Sequence, residues 1–192
     1  EDVSLTMLRT LTYIIESDPL NSCKFLPKII SLFIFMLKKA SPIVLNELFK
    51  FLEIIVYKCK IDFVPLLPKL TEILKSYLDI TSCVHCCMTM SYFLNDNFLI
   101  ANDLYISCID NLQTNDFIYF QVLLKLIASM IIYQHTAFIT FLRAIQNIQC
   151  QPQFMESIVF NLISIIQSID ISMFSSLLVS FGVRALNLYN ID

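Results

Sequence analysis

The densest group of chemically versatile side chains is Cys-Val-His-Cys-Cys at residues 83–87. Cys83, His85, Cys86 and Cys87 are ligand types that zinc takes, and Cys83 and Cys86 stand at the Cys-x2-Cys spacing of a tetrahedral site. Such a site usually draws its second ligand pair from elsewhere, and the chain offers no second Cys-x2-Cys and no His pair. On a helix, residues 83, 86 and 87 share a face that continues through Met90 and Leu94, while His85 points away. Cys83, Cys86 and Cys87 are therefore weak metal candidates whose spacing favours a packed apolar face. No metal and no cofactor is expected. His135, in Tyr-Gln-His-Thr-Ala-Phe, has no nucleophile or carboxylate brought to it by the sequence and reads as a polar turn. With one glycine, Gly182, and two distant histidines, no phosphate loop, His-Glu-x-x-His or Gly-x-Ser-x-Gly motif can form. The expectation is that the chain is not an enzyme.

Acidic residues form the second pattern. Asp96, Asp103 and Asp110 recur every seven residues, and Asp116 follows in the next turn. On a helix beginning near residue 98, Asp103 and Asp110 share a face two turns apart. Asp96 extends that stripe at the N-terminal end, where it complements the helix dipole. No Lys or Arg occurs between Lys75 and Lys125. Such a ladder is either a solvated face or a receiver of Lys and Arg from a basic partner. Asp96, Asp103, Asp110 and Asp116 are the candidate partner-binding residues. The lysines at 24, 28, 38, 39, 58 and 60 are interspersed with acids and read as ordinary surface. At a net charge of -3, no basic stripe announces direct nucleic-acid binding.

The elements that must position these residues are helices. Turn signals at "SDPLNS" (17–22), "ASP" (40–42), "KID" (60–62), "DIT" (79–81), "NDN" (95–97), "QTND" (113–116), "YQHT" (133–136), "QCQP" (149–152) and "SID" (168–170) each supply a capping residue or a proline. Between them lie ten apolar-periodic stretches. In Ile43 to Lys58 the apolar set Leu45, Leu48, Leu52, Ile55 and Val56 forms a stripe that excludes Glu47, Lys50 and Glu53. Taken in pairs, first helices begin near 3, 42, 81, 117 and 153 and second helices near 22, 62, 98, 136 and 171, a spacing that stays close to 36–39 residues, with extremes of 35 and 40. Two helices per period of about 40 mark HEAT-type solenoids. "FLPKIISLF" (25–33) and "PLLPKLTEIL" (65–74) echo one another, placing Pro27 and Pro68 early in consecutive second helices, since neither fits mid-helix. The expected architecture is all-α, a HEAT-like α-solenoid of about five antiparallel helix pairs near 3–39, 42–78, 81–112, 117–148 and 153–189, forming one array over 1–192. A compact helical bundle is the rival and would not need the even spacing.

Composition agrees with helices and short turns. Of the 192 residues 57% are hydrophobic and 15% charged, with one glycine and no tryptophan. The mean hydropathy of +0.70 raises a membrane span, which needs about 20 mainly apolar residues. The charge-free stretch Leu126–Leu142 is interrupted by Gln134, His135 and Thr136, and Ser157–Ile169 and Ile171–Val183 are too short. No membrane insertion and no signal peptide are expected. Seven cysteines, mostly in apolar helical patterns, fit reduced core thiols of a cytosolic or nuclear protein. The start at Glu1, the uncapped end and the absence of polar capping repeats lead to the expectation of a cut from a longer array.

The stretches "VLNELFKFLEIIVYKC" (44–59), "FVPLLPKLTEIL" (63–74), "TSCVHCCMTMSYFLND" (81–96) and "HTAFITFLRAIQNI" (135–148) resemble the C-terminal half of importin-β-type transport receptors, especially the transportin-SR branch. The acidic loops and tryptophans common in that branch are missing. The resemblance implies a nucleocytoplasmic receptor found in cytoplasm and nucleus, binding protein cargo with a basic segment on its concave face and switched by the GTPase Ran. The alternative is a non-transport HEAT scaffold holding a multiprotein complex together.

Overall fold

Apolar periodicity near 3.6 and the near absence of glycine favour helix almost everywhere along this chain. The computed structural model describes residues 2–94, 97, 102–133, 137–148, 151–169 and 178–183. Among them the chain is all-α, without a strand. Ten α-helices follow in order: α1 (Asp2–Ser17), α2 (Pro19–Cys23), α3 (Leu26–Leu37), α4 (Pro42–Cys59), α5 (Leu67–Leu74), α6 (Thr81–Leu94), α7 (Asn102–Asp110), α8 (Phe117–Tyr133), α9 (Ala137–Asn147) and α10 (Pro152–Ile166). Residues 178–183 are helical too. None of the described helices is long and apolar enough to cross a membrane. The chain divides into two compact units, Glu1–Leu104 and Tyr105–Asp192, the division falling inside α7.

In the first unit α4 is the central element, packed against both α1 and α6 and touching α3. It buries Val44, Leu48, Phe49, Phe51, Leu52, Ile55, Val56 and Cys59. That set is broader than the single stripe its periodicity suggests: Leu45 is only half-buried, while Phe49 and Phe51 are covered. A helix with several neighbours needs apolar residues on more than one face. Phe49 is ringed by Phe33 at 6.3 Å and Tyr77 at 5.7 Å. Burying one such side chain stabilises by about 1.5–3 kcal/mol.

The stretches expected as single helices from near 22 and 62 are each broken. Asp18 caps α2, accepting the Asn21 N–H at 3.3 Å and the Asn21 side-chain amide at 2.7 Å, and these bonds lower its pKa. The helix stops at Cys23, and Pro27 sits in the first turn of α3. Similarly, Lys60–Leu66 winds as a tighter 3-10 segment containing Pro65, and Pro68 occupies the first turn of α5. Proline lacks an N–H and its ring strikes the preceding turn's carbonyl, so each starts a fresh helix. Where α4 gives way to this segment, Lys60 takes φ 41° and ψ -109°, a region that L side chains rarely adopt.

In the second unit α8 packs against α10 and α9. The Phe154 ring meets Phe117 at 5.3 Å and Phe120 at 4.7 Å, both edge-on. The buried Tyr105 hydroxyl donates to the Ala137 carbonyl oxygen at 2.7 Å, and burial pushes its pKa up.

Side-chain pairs join α4 to α6, and α8 to α10, at a constant sequence separation. Ser82 Oγ donates to Asn46 Oδ1 at 2.7 Å and Thr89 Oγ1 donates to Glu53 Oε1 at 2.7 Å. Tyr57 and Phe93 rings meet edge-on at 4.8 Å. In the second unit, Gln121 Nε2 donates to Ser157 Oγ at 3.4 Å. In all four pairs the partners are 36 residues apart.

Candidate partner-binding surfaces

The four candidate aspartates have different settings. Asp103 lies exposed in the first turn of α7, the favourable end of the dipole for a carboxylate. Lys75 raises the local positive potential there. Its ammonium pairs with Glu72 at 2.7 Å, and its pKa is raised chiefly by that bond, then by the fields of Glu72 and Asp103. The sequence gap without cations therefore does not carry over into space at Asp103. Asp110 is exposed at the last residue of α7, with no basic residue in that turn. A carboxylate at a helix C-terminus is disfavoured, typically by about 0.3–1 kcal/mol, so an incoming cation would relieve it. Asp116 is exposed and starts α8: its Oδ1 accepts the Tyr119 N–H at 3.0 Å and its carbonyl oxygen accepts from Phe120. That is an N-cap. Asp96 lies outside the described residues, as does His135.

The Cys83, Cys86 and Cys87 side chains are 0% exposed, on the α6 face that also buries Met90 and Leu94. Cys83 Sγ donates to the Leu74 carbonyl oxygen at 3.6 Å. Burial pushes the Cys86 thiol well up, with smaller contributions from Cys87 and Glu53. His85, half-buried, is not on that face. Among the described residues no group of three or more His, Cys, Asp or Glu could hold a metal ion.

A groove in the first unit escaped the sequence reasoning. It measures about 370 Å³ and is lined by Glu16 of α1, Glu53, Ile54 and Tyr57 of α4, and Thr89 and Phe93 of α6. Two of the cross-helix pairs therefore form its walls, so the contacts that join α4 to α6 also shape a surface. Tyr57 is 49% and Phe93 37% exposed. Each ring already carries a lysine: Lys58 Nζ lies 5.7 Å from the Tyr57 ring centre and Lys60 Nζ 5.9 Å from that of Phe93. Such exposed contacts are worth about 0.5–1 kcal/mol. The signal that could have exposed the groove is the 36-residue recurrence of Glu53/Thr89 and Tyr57/Phe93. Elsewhere, Lys28 and Lys39 sit over Phe25 and Phe35 at 5.9 and 5.1 Å, so four of the six clustered lysines cover aromatic rings.

No protein-family model matches the chain, and neither the curated proteins nor the solved structures contain a match.

Proposed function

We propose that the chain is a protein-binding segment of HEAT-type helix pairs, about five in number, forming an α-solenoid. The observation that carries this reading is the constant separation of 36 residues in the side-chain pairs Asn46/Ser82, Glu53/Thr89, Tyr57/Phe93 and Gln121/Ser157. Repeated units stacked side by side bring equivalent positions together at one period. A bundle without repeats has no reason to do so.

Within that reading, the protein serves as a nucleocytoplasmic transport receptor that binds cargo with a basic segment and answers to Ran. The support is the helix patterns at 44–59, 63–74, 81–96 and 135–148, together with the acids at Asp103 and Asp110. The mechanism would be mechanical, each junction between pairs contributing a small hinge whose setting shifts as partners bind. The test is retention of the full chain, from its own cell extract, on immobilised Ran carrying GTP or GDP. Retention on the GTP form alone, with release of a bound protein, supports transport. Equal retention on both, or none, refutes it.

A specific observation favours a second reading, a scaffold with permanent partners. Val3, Tyr13 and Leu20 in the first unit are 82, 71 and 84% exposed, and Ile118 and Phe160 in the second 70 and 73%. Exposed apolar side chains of this size are surface that a permanent partner would cover. A scaffold would keep stoichiometric partners irrespective of nucleotide.

A further inference from the structure

The groove lined from α1, α4 and α6 lies wholly within the first unit, and it holds charges that the fold leaves unmatched. Its carboxylates are Glu16, exposed on α1, and Glu53, half-buried on α4. The Thr89 hydroxyl donates to Glu53 Oε1 at 2.7 Å, which holds that carboxylate in place. Among the described residues neither Glu16 nor Glu53 pairs with a lysine or an arginine. Lys58, which also lines the groove, is turned over the Tyr57 ring instead, its Nζ 5.7 Å from the ring centre. The rings of Tyr57 and Phe93 stand at 84° to one another with centres 4.8 Å apart, so together they form a right-angled corner. Both keep open surface, Tyr57 at 49% and Phe93 at 37% exposure.

We propose that this groove receives an arginine side chain from an exposed segment of a partner protein, its guanidinium held by the Glu16 and Glu53 carboxylates and its stem laid against the Tyr57–Phe93 corner. A guanidinium is the cation that suits both parts of the lining. Its planar fork donates two parallel hydrogen bonds to a carboxylate, and its flat face stacks on an aromatic ring. An ammonium is a strongly hydrated point charge and loses more water on entering such a corner. Volume points the same way. At about 370 Å³ the groove is near the lower end of ligand-sized clefts, about 300–1,000 Å³, which suits one long side chain and its backbone neighbours rather than a helix. Charge agrees as well: Glu16, Glu53 and Lys58 leave the lining one positive charge short, and the guanidinium supplies it.

Two lysines of the chain itself compete for the rings. Lys58 Nζ lies 5.7 Å from the Tyr57 centre and Lys60 Nζ 5.9 Å from that of Phe93. Contacts of this exposed kind are weak, whereas an arginine adds forked bonds to carboxylates that carry none, so the lysines act as removable covers. Their charge also opposes the guest. The site therefore responds with a definite sign: loss of a carboxylate weakens the guest, and loss of Lys58 strengthens it. The groove needs the chain to be a protein-binding segment, as read above, and does not need it to be a transport receptor.

The test titrates the full chain, at constant ionic strength, with the capped tripeptides Ala-Arg-Ala, Ala-citrulline-Ala, Ala-Leu-Ala and Ala-Glu-Ala. The Thr89 and Ile54 methyl groups, both in the lining, are followed by NMR. Citrulline keeps the shape of arginine without its charge. The arginine peptide should shift both methyls saturably, and the citrulline peptide should bind about fivefold or more weakly. Glu16→Gln and Glu53→Gln should each weaken the arginine peptide by about twofold to fivefold. Glu16 is exposed, so its substitution leaves the fold intact. Lys58→Ala should bind the arginine peptide more tightly, a gain that misfolding could not produce. Equal binding of the arginine and citrulline peptides, tighter binding of the leucine peptide, a glutamate peptide that binds best and weakens in Lys58→Ala, or no shift at either methyl would each overturn the proposal. A chain that ignores Ran yet takes the arginine peptide refutes transport alone, and one that answers to Ran without taking it refutes the groove alone.

Discussion

The hydrogen bond between Thr89 and Glu53 permits a quantitative test of the 36-residue register. At 2.7 Å between two partly buried groups, with an ionised acceptor, it belongs to the class worth about 1.5–3 kcal/mol when well buried. The groove beside it is open, so water competes for the freed carboxylate and roughly 1 kcal/mol is the expected coupling. Thr89→Val removes the hydroxyl while keeping the branched shape, and Glu53→Gln removes the charge. A cycle of both single variants and the double isolates the pair. Because the chain has no tryptophan, unfolding in urea is followed by helical circular dichroism. With slopes of about 1–3 kcal/mol/M, 1 kcal/mol moves the midpoint by about 0.3–1 M. The exposed, neutral bond from Ser82 to Asn46 provides the control, and Ser82→Ala should cost about 0.5 kcal/mol or less. A Thr89–Glu53 coupling below about 0.3 kcal/mol, or a Ser82→Ala cost equal to that of Thr89→Val, would refute the view that this pair locks α6 to α4.

Other outcomes follow from single groups. Tyr105→Phe leaves the Ala137 carbonyl without its 2.7 Å donor and should cost about 1–2 kcal/mol in urea unfolding; no loss would mean that another donor takes over. Lys60→Gly relieves the φ of 41° and should raise stability by up to about 1 kcal/mol, a gain that thermal unfolding reads as a higher Tm; a lower Tm would show that the lysine's contact with Phe93 outweighs the strain. Burial, above all, raises the Cys59 pKa and makes stability pH-dependent. Above its ordinary value of 9.0 the unfolded thiol loses its proton, while the folded one holds it to about 12. The folded state then binds more protons, and stability falls as pH rises through that window, by at most about 1.4 kcal/mol per pH unit. Cys59→Ala should flatten that part of the profile; an unchanged slope would assign it to other groups.

Where helices begin was largely legible, and how far they run was less so. The turns "ASP" and "QCQP" place proline at the start of α4 and α10, because local chemistry alone decides such a start. The breaks at Cys23 and at Lys60–Leu66 were not legible, although Pro27, Pro65 and Pro68 were in view. The alternative of one continuous helix is excluded by the clash each proline would make with the turn before it. Glu53 falls outside the apolar stripe of α4, yet it is half-buried, since its Thr89 partner comes from another helix. The sign of Asp116 groups it with the other acids in the sequence, while its bonds from the N–H groups three and four residues on, which make it a cap as well, are visible only in the structure. Burial on several faces of α4 is likewise a product of its neighbours, and no period within one helix records how many neighbours there are.

The cross-helix pairs have a consequence for how such a chain can change over generations. Positions 46, 53 and 57 meet 82, 89 and 93 only while α4 and α6 each keep their own residue register. One residue inserted within α4 rotates everything after it on that helix by about 100° relative to what precedes, and the later partners would face the wrong way. The same insertion between Leu37 and Pro42, outside the spans the pairs enclose, leaves every one of them in phase. Substitution is cheap along most of these helices and a frameless change in length is not, so lineages of this protein should vary freely in letters while their helix lengths stay fixed, with gaps confined to the turns that precede each first helix.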